Sequence, residues 1–169
     1  MDTSSELAFD PDTTFTPLIL QSLSSLIEQD PTSACSAFCA VKTIAPIRDV
    51  SAMISLTGPV SIMLLFVFDH ALAWRVMQHE IKNLAIEESE DVMDAVLAEM
   101  ANVIGGNATA VLAEPGKEIH LSLPLIMRAV KLSPGITEVV IQKCTMQTHD
   151  GAMDLYCISP AIVGSIVAT

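Results

Sequence analysis

Glu99-Met100-Ala101-Asn102-Val103-Ile104-Gly105-Gly106-Asn107-Ala108 is the stretch on which the reading of this chain turns. It sits in a segment, Glu88 to about Leu112, whose apolar residues recur at helical spacing. At ~100° per residue, Val92, Val96, Met100 and Val103 gather on one side, and Met93, Leu97 and Ile104 widen that stripe. Asp91, Asp94, Ala98 and Asn102 fall opposite, with Glu99 at the edge of the stripe. Residues three apart on a helix project from one side, about one turn apart. A carboxylate and a carboxamide are therefore presented together. Asparagine is a poor helix former because its amide competes with the backbone, so an Asn in mid-helix facing solvent is either incidental or reserved for a partner.

Spacing alone is weak. Glu80-Ile81-Lys82-Asn83 repeats E-x-x-N near the end of another expected helix. For an isolated pair of this kind, a solvated Glu and Asn is the commoner reading, because polar residues are abundant on surfaces. The context separates the two copies. Glu99 follows a small residue, Ala98, across which a partner could approach. Asn102 is followed by an apolar pair and Gly-Gly-Asn, and a short strand-like run downstream ends in Ser122-Leu123-Pro124.

With that context the stretch resembles the signature of the CheX/CheC/FliY family, phosphatases of the chemotaxis response regulator CheY. The family pattern is Glu, two residues, Asn, an apolar pair, any residue, Gly-Asn, and an S-x-P element after the helix. Glu99, Asn102, Gly106, Asn107, Ser122 and Pro124 match it. CheC-like members carry the motif on two related helices. Here the N-terminal helix has only Glu28-Gln29-Asp30-Pro31 where a second copy would start, which favours a CheX-like protein.

The resemblance implies an activity and a partner. Asn102 would orient the water that hydrolyses an aspartyl phosphate on a CheY-type receiver, and Glu99 would contact the receiver's active-site lysine. Ala98, Gly105 and Gly106 would line the approach of the partner, although helix bending or tight internal packing explains the two glycines equally well. The protein would need no cofactor of its own, the Mg²⁺ belonging to the receiver, and would form a homodimer by joining sheets edge to edge. The competing reading is a non-catalytic dimeric adaptor that binds a receiver or a flagellar-switch component. Ser122 itself is expected to be a strand or turn residue, since no His or acid stands at motif spacing to activate it.

Composition narrows the classes. At 169 residues the chain reads as a single domain over residues 13–169, preceded by a flexible segment, residues 1–12, around Asp10-Pro11-Asp12. Hydrophobic residues make up 51% and aromatics 4%, so the core is expected to be aliphatic and rich in methionine. A formal charge of −12 argues against nucleic-acid binding, which needs a positive footprint. Mean hydropathy is +0.52, but the longest uncharged run, Val50 to Phe68, is split by Gly58-Pro59 into two strand-length pieces, and a spanning helix needs ~20 mostly apolar residues. No membrane span is read there. The acidic N-terminus has neither the basic nor the apolar region of a signal peptide, which points to the cytoplasm. Cys35, Cys39, Cys144 and Cys157 lack C-x-x-C spacing, and the four His are scattered. Cys35 and Cys39 could share a helical face, but buried thiols are the commoner outcome, and no metal site is expected.

The remaining elements follow from periodicity. Phe15, Leu18, Ile19, Leu23 and Leu26 give a helix from about Thr14 to Gln29, with Pro17 in its first turn. Val50 to Thr57 alternates with period two, and Val60 to Phe68 is apolar on both faces, as in a central strand. Asp69 is placed to cap a helix from His70 to about Leu84. Strands are expected over Glu118–Leu123, Thr137–Gln147 and Ala152–Ser159, the last two joined by His149-Asp150-Gly151. Helix, hairpin, two helices and strands in that order give an α+β architecture, long helices packed on one face of a largely antiparallel sheet. This is also the CheC-like fold that the resemblance implies.

Overall fold

A computed structural model describes residues 10–23, 35–47, 49–129, 131 and 138–160. In chain order the elements are α1 (Pro11–Leu23), β1 (Cys39–Val41), β2 (Val50–Thr57), β3 (Ile62–Phe68), α2 (His70–Ile81), α3 (Glu90–Leu112), β4 (His120–Leu121), β5 (Leu125–Arg128), β6 (Val139–Thr148) and β7 (Gly151–Pro160). The seven strands form one sheet in the order β1-β6-β7-β3-β2-β4, with β5 also on β2. Every pairing is antiparallel.

The alternation in β2 sorts the sheet into two faces. Val50, Ala52, Ile54 and Leu56 are fully buried and join the main core with Met93, Leu97 and Ile104 of α3. Ser51, Met53, Ser55 and Thr57 take the other face, where a smaller core of Ile44, Ile47, Leu65, Ile141 and Tyr156 forms. The segment between β1 and β2 covers it, with Ala45 N donating to the Tyr156 hydroxyl at 3.3 Å. All three described helices lie on the first face: α3 packs on β2 and touches both α1 and α2. By length and composition α3 could cross a membrane, yet one of its sides is buried in this core. The uncharged run from Val50 to Phe68 is the β2–β3 hairpin.

Several boundaries differ from the sequence expectation. α1 starts at Pro11, inside the segment read as flexible, because Asp10 acts as its cap. The Asp10 carboxylate accepts from Asp12 N at 3.1 Å, and proline suits the first helical position. Asp12 Oδ1 in turn accepts from Phe38 N at 2.9 Å, which ties the helix start to the domain. The expected continuation to Gln29 lies outside the described residues, as does the tail after Pro160. Asp69 precedes α2, but its side chain does not cap it. It accepts from Ala152 N at 2.7 Å, and Asp49 Oδ2 takes the His70 N–H at 3.0 Å. Cys35 and Cys39 share no helical face: Cys39 is in β1 and exposed, and Cys35 bridges to Met146. Cys144 and Cys157 are the buried thiols. A hydrogen bond from Cys144 holds the Cys35 thiol down at about 7, and burial pushes Cys157 up to about 12.

Candidate functional site

The site is built on one uninterrupted helix. Ser89 caps α3, its hydroxyl accepting from Val92 N at 3.2 Å, and Glu90 and Asp91 place negative charge at the positive end of the helix dipole. The buried side is Met93, Leu97, Ala101, Ile104, Gly105 and Ala108. Of the expected stripe, Met93, Leu97 and Ile104 lie on this side, and the buried centre is turned roughly a quarter turn away from Val92, Val96, Met100 and Val103. Val92, Val96 and Met100 are only half-buried, and Val103 is 44% exposed. The cause is size. Ala101, Gly105 and Ala108 let the helix axis settle close to the sheet, a contact that a stripe drawn through large apolar side chains does not register.

The rotation changes what Glu99 does. Instead of sitting at the edge of an apolar stripe, it stands on the outward side of α3, with Asn102 exposed one turn along. Among the described residues neither side chain has a hydrogen-bond or ion-pair partner. Ala98 is half-buried beside them.

The two glycines part company. A Cβ on Gly105 would come within 2.8 Å of Leu121 Cδ1 and 3.4 Å of Ile54 Cδ1. Gly105 is therefore an internal contact between α3 and strands β4 and β2. The expectation that it faces a partner is corrected: the missing side chain makes room for the sheet. Nothing lies within 4 Å of the corresponding point on Gly106, which remains open to an approaching surface. Asn107 is exposed beyond it.

The first turns of α3 contrast with this open centre. Arg128 of β5 reaches Asp94 Oδ2 at 2.7 Å through Nη1 and Glu90 Oε2 at 2.8 Å through Nη2. His70 Nε2 lies 2.9 Å from Glu90 Oε1 and stacks on Trp74 with ring centroids 5.9 Å apart. The His70 contact, and after it Arg128, holds the Glu90 carboxyl below the usual carboxylate range, while Asp94 raises Arg128. Sequence reasoning did not single out Arg128; only pairing of β5 with β2, Val50 opposite Arg128, brings it beneath the helix start.

The S-x-P element forms the sheet edge next to the helix. Leu121 pairs with Leu56 in β4, but Leu125 pairs with Met53 in β5, so the register moves by one and one residue is extra. Ser122 bonds Ser55 twice, its N donating to Ser55 O at 2.9 Å and its Oγ accepting from Ser55 N at 2.9 Å. Pro124 has no N–H to extend the ladder. Ser122, expected to be a strand or turn residue, lies just past the end of β4 in the link to β5. Leu123, the extra residue, is 90% exposed. The interruption is a β-bulge, a feature concentrated at sheet edges and beside functional sites.

A family model for the chemotaxis phosphatase CheX matches residues 50–144, more than half of the 169-residue chain, and its span takes in α3 and the bulge. The chain belongs to the CheX family. Solved structures agree on the fold. The chain is similar to chemotaxis protein CheX from Desulfovibrio desulfuricans, at TM-score 0.72 and 19% identity over 86% of this chain and 96% of that one. It is also similar to a CheC-like superfamily protein from Shewanella sp. PV-4, at TM-score 0.67 and 20% identity over 86% of this chain and 94% of that one. A third is from the CheX-CheY-BeF3-Mg²⁺ complex of Borrelia burgdorferi, at TM-score 0.63 and 17% identity over 89% of this chain and 98% of that one. No curated protein matches the sequence.

Within this CheX-family chain the motif residues fall into two roles by position. Glu99, Asn102 and Gly106 face outward, whereas Gly105 and Ser122 hold helix to sheet and strand to strand. Among the described residues no group of three His, Cys, Asp or Glu side chains could hold a metal ion.

Proposed function

We propose that this CheX-family protein is a cytoplasmic phosphatase that accelerates hydrolysis of the aspartyl phosphate on a CheY-type receiver. The observation that carries the reading is the pair Glu99 and Asn102, exposed and unpartnered on the outward side of one continuous helix. Family membership and the likeness to a CheX bound with CheY support it.

The chemistry asks for positioning above all. Phosphoryl transfer passes through a loose transition state, so an in-line water and electrostatic stabilisation supply most of the rate. The Asn102 carboxamide cannot take the water's proton as a general base. It can accept a hydrogen bond through its oxygen and donate through its nitrogen, which fixes a water's orientation towards phosphorus. Glu99, one turn earlier, anchors the receiver by an ion pair with its active-site lysine. Mg²⁺ is the receiver's and supplies charge stabilisation at the phosphoryl group. A second copy of the chain would extend the sheet through an open edge, of which β1 and β4/β5 are the two ends.

Phosphate release from a phosphorylated CheY-type receiver, with and without the protein, tests the reading. Faster release that Asn102→Ala abolishes, with binding retained, is the expected result. Stable binding without faster release by the wild-type protein would replace the phosphatase with an adaptor. Sedimentation velocity on the purified protein tests the dimer, a monomer at micromolar concentration removing it.

A further inference from the structure

The bulge at the sheet edge points to a docking residue that the motif does not name. We infer that Leu123 is an apolar anchor for the receiver, setting how tightly it binds while Asn102 sets how fast it is hydrolysed. The inference rests on the phosphatase reading for its partner. Three observations carry it.

The first is place. Leu121 packs under Gly105, three residues beyond Asn102, and Leu123 lies two residues further along the chain, at most ~7 Å along a strand. A domain seated on Glu99 and Asn102 would extend over this neighbouring sheet edge to meet Leu123. The second is construction. An exposed leucine is ordinary by itself, but this one is held in position. Ser122 is bonded to Ser55 on both its N and its Oγ, the register slips by one residue at this point, and Pro124 stops the ladder from closing over it. Bulges re-aim a side chain in this way, and the side chain aimed outward is 90% exposed and apolar.

The third is charge. The chain carries −12, and a receiver's phosphorylation pocket is itself built of carboxylates. Long-range attraction does not assemble such a pair. Affinity then has to come from short-range contacts, and the large apolar side chains exposed on α3 and on the neighbouring sheet edge are Val103 at 44%, Val111 at 58%, Leu125 at 51% and, the most exposed of them, Leu123 at 90%. A leucine desolvated at the centre of such a contact weakens binding roughly tenfold or more when truncated to a polar residue.

The test measures KM and kcat for phosphate release, together with Kd for a CheY-type receiver activated by beryllofluoride and Mg²⁺, with wild type, Leu123→Ser and Leu123→Met. Leu123→Ser is expected to raise KM and Kd about tenfold with kcat within about twofold of wild type, and Leu123→Met is expected to restore both. Unchanged KM and Kd in Leu123→Ser overturn the inference. A fall in kcat together with a lower Tm also overturns it, since that would mark a structural role only. If wild type binds the beryllofluoride-activated receiver but does not speed phosphate release from the phosphorylated one, the phosphatase reading fails while the Kd ratio still judges Leu123. If wild type does neither, both fail.

Discussion

Two copies of E-x-x-N stand in this chain, and the structure separates them. Glu99 and Asn102 lie in the middle of α3, which runs unbroken from Glu90 to Leu112. Glu80 lies in the last turn of α2, which ends at Ile81. Asn83 is already in the turn beyond, where Leu84 N donates to Ile81 O at 2.8 Å. The spacing that makes a two-pronged surface in α3 makes none at the end of α2. Glu80 Oε1 instead lies 3.5 Å from Nδ1 of its neighbour His79. A motif of this kind has geometric meaning only where the helix continues through it and the surrounding packing leaves both side chains free.

The same substitution made in both copies should have very different effects. Asn102→Ala should lower kcat for phosphate release about 100-fold or more, the scale set by losing the position of a reacting group. Asn83→Ala should leave it within about twofold, as read by continuous phosphate detection. Equal effects would mean that helix context does not distinguish the two.

A second contrast is internal to the motif. Gly105→Val forces a branched side chain against Leu121 and Ile54 and should cost about 1–3 kcal/mol of stability by overpacking. Gly106→Ala meets open space and should add about 0.5–1 kcal/mol through helix propensity. Urea unfolding midpoints with a common m-value check both signs.

The start of α3 gives a smaller effect. Ser89→Ala removes the cap on Val92 N and should cost about 1 kcal/mol, again by urea unfolding. If the loss is transmitted along the helix, KM for the receiver rises with it; a rigid core under Met93 and Leu97 predicts that it does not.

The smallest effect concerns Glu90. Its carboxyl titrates below the usual range in the folded protein, through His70 first and Arg128 next. A group whose folded pKa is depressed adds stability that is present above its unfolded pKa and is lost as pH falls through the folded one. Stability should therefore decline slightly more steeply on acidification below the ordinary glutamate range in wild type than in His70→Gln. Water screens these exposed partners, so an NMR titration of the Glu90 carboxyl reads the change more clearly than unfolding does. An unshifted titration in the wild type would remove the contact from the account.

Much of the architecture was legible because it depends on local periodicity. The alternation of Val50 to Thr57 became β2 at those bounds. Asp150-Gly151 turned between β6 and β7, and the order of elements led to helices on one face of an antiparallel sheet. Helix ends were less legible. Asp10 and Ser89 cap as such residues do, yet Asp69, equally suited, is drawn away by Ala152 N across the sheet. The core-facing side of α3 was misjudged for a related reason: the sheet came closest where Ala101, Gly105 and Ala108 allowed it, and small residues carry little weight in a hydrophobic pattern.

The order of residues along the chain therefore sets the chemistry on offer. It placed a carboxylate and a carboxamide one turn apart on a helix, followed by an apolar pair, Gly-Asn and S-x-P, because helical spacing and turn chemistry are properties of neighbouring residues. Packing of distant segments selects which of those groups are available. Packing against β2 and β4 turned Gly105 inward and Glu99 outward. Strand pairing carried Arg128 to Glu90 and Asp94, neutralising part of the helix start while leaving its centre unpaired. A one-residue slip of register raised Leu123 beside them. Each of these depends on residues brought together from distant parts of the chain, and the close fit between them is a property of the folded whole.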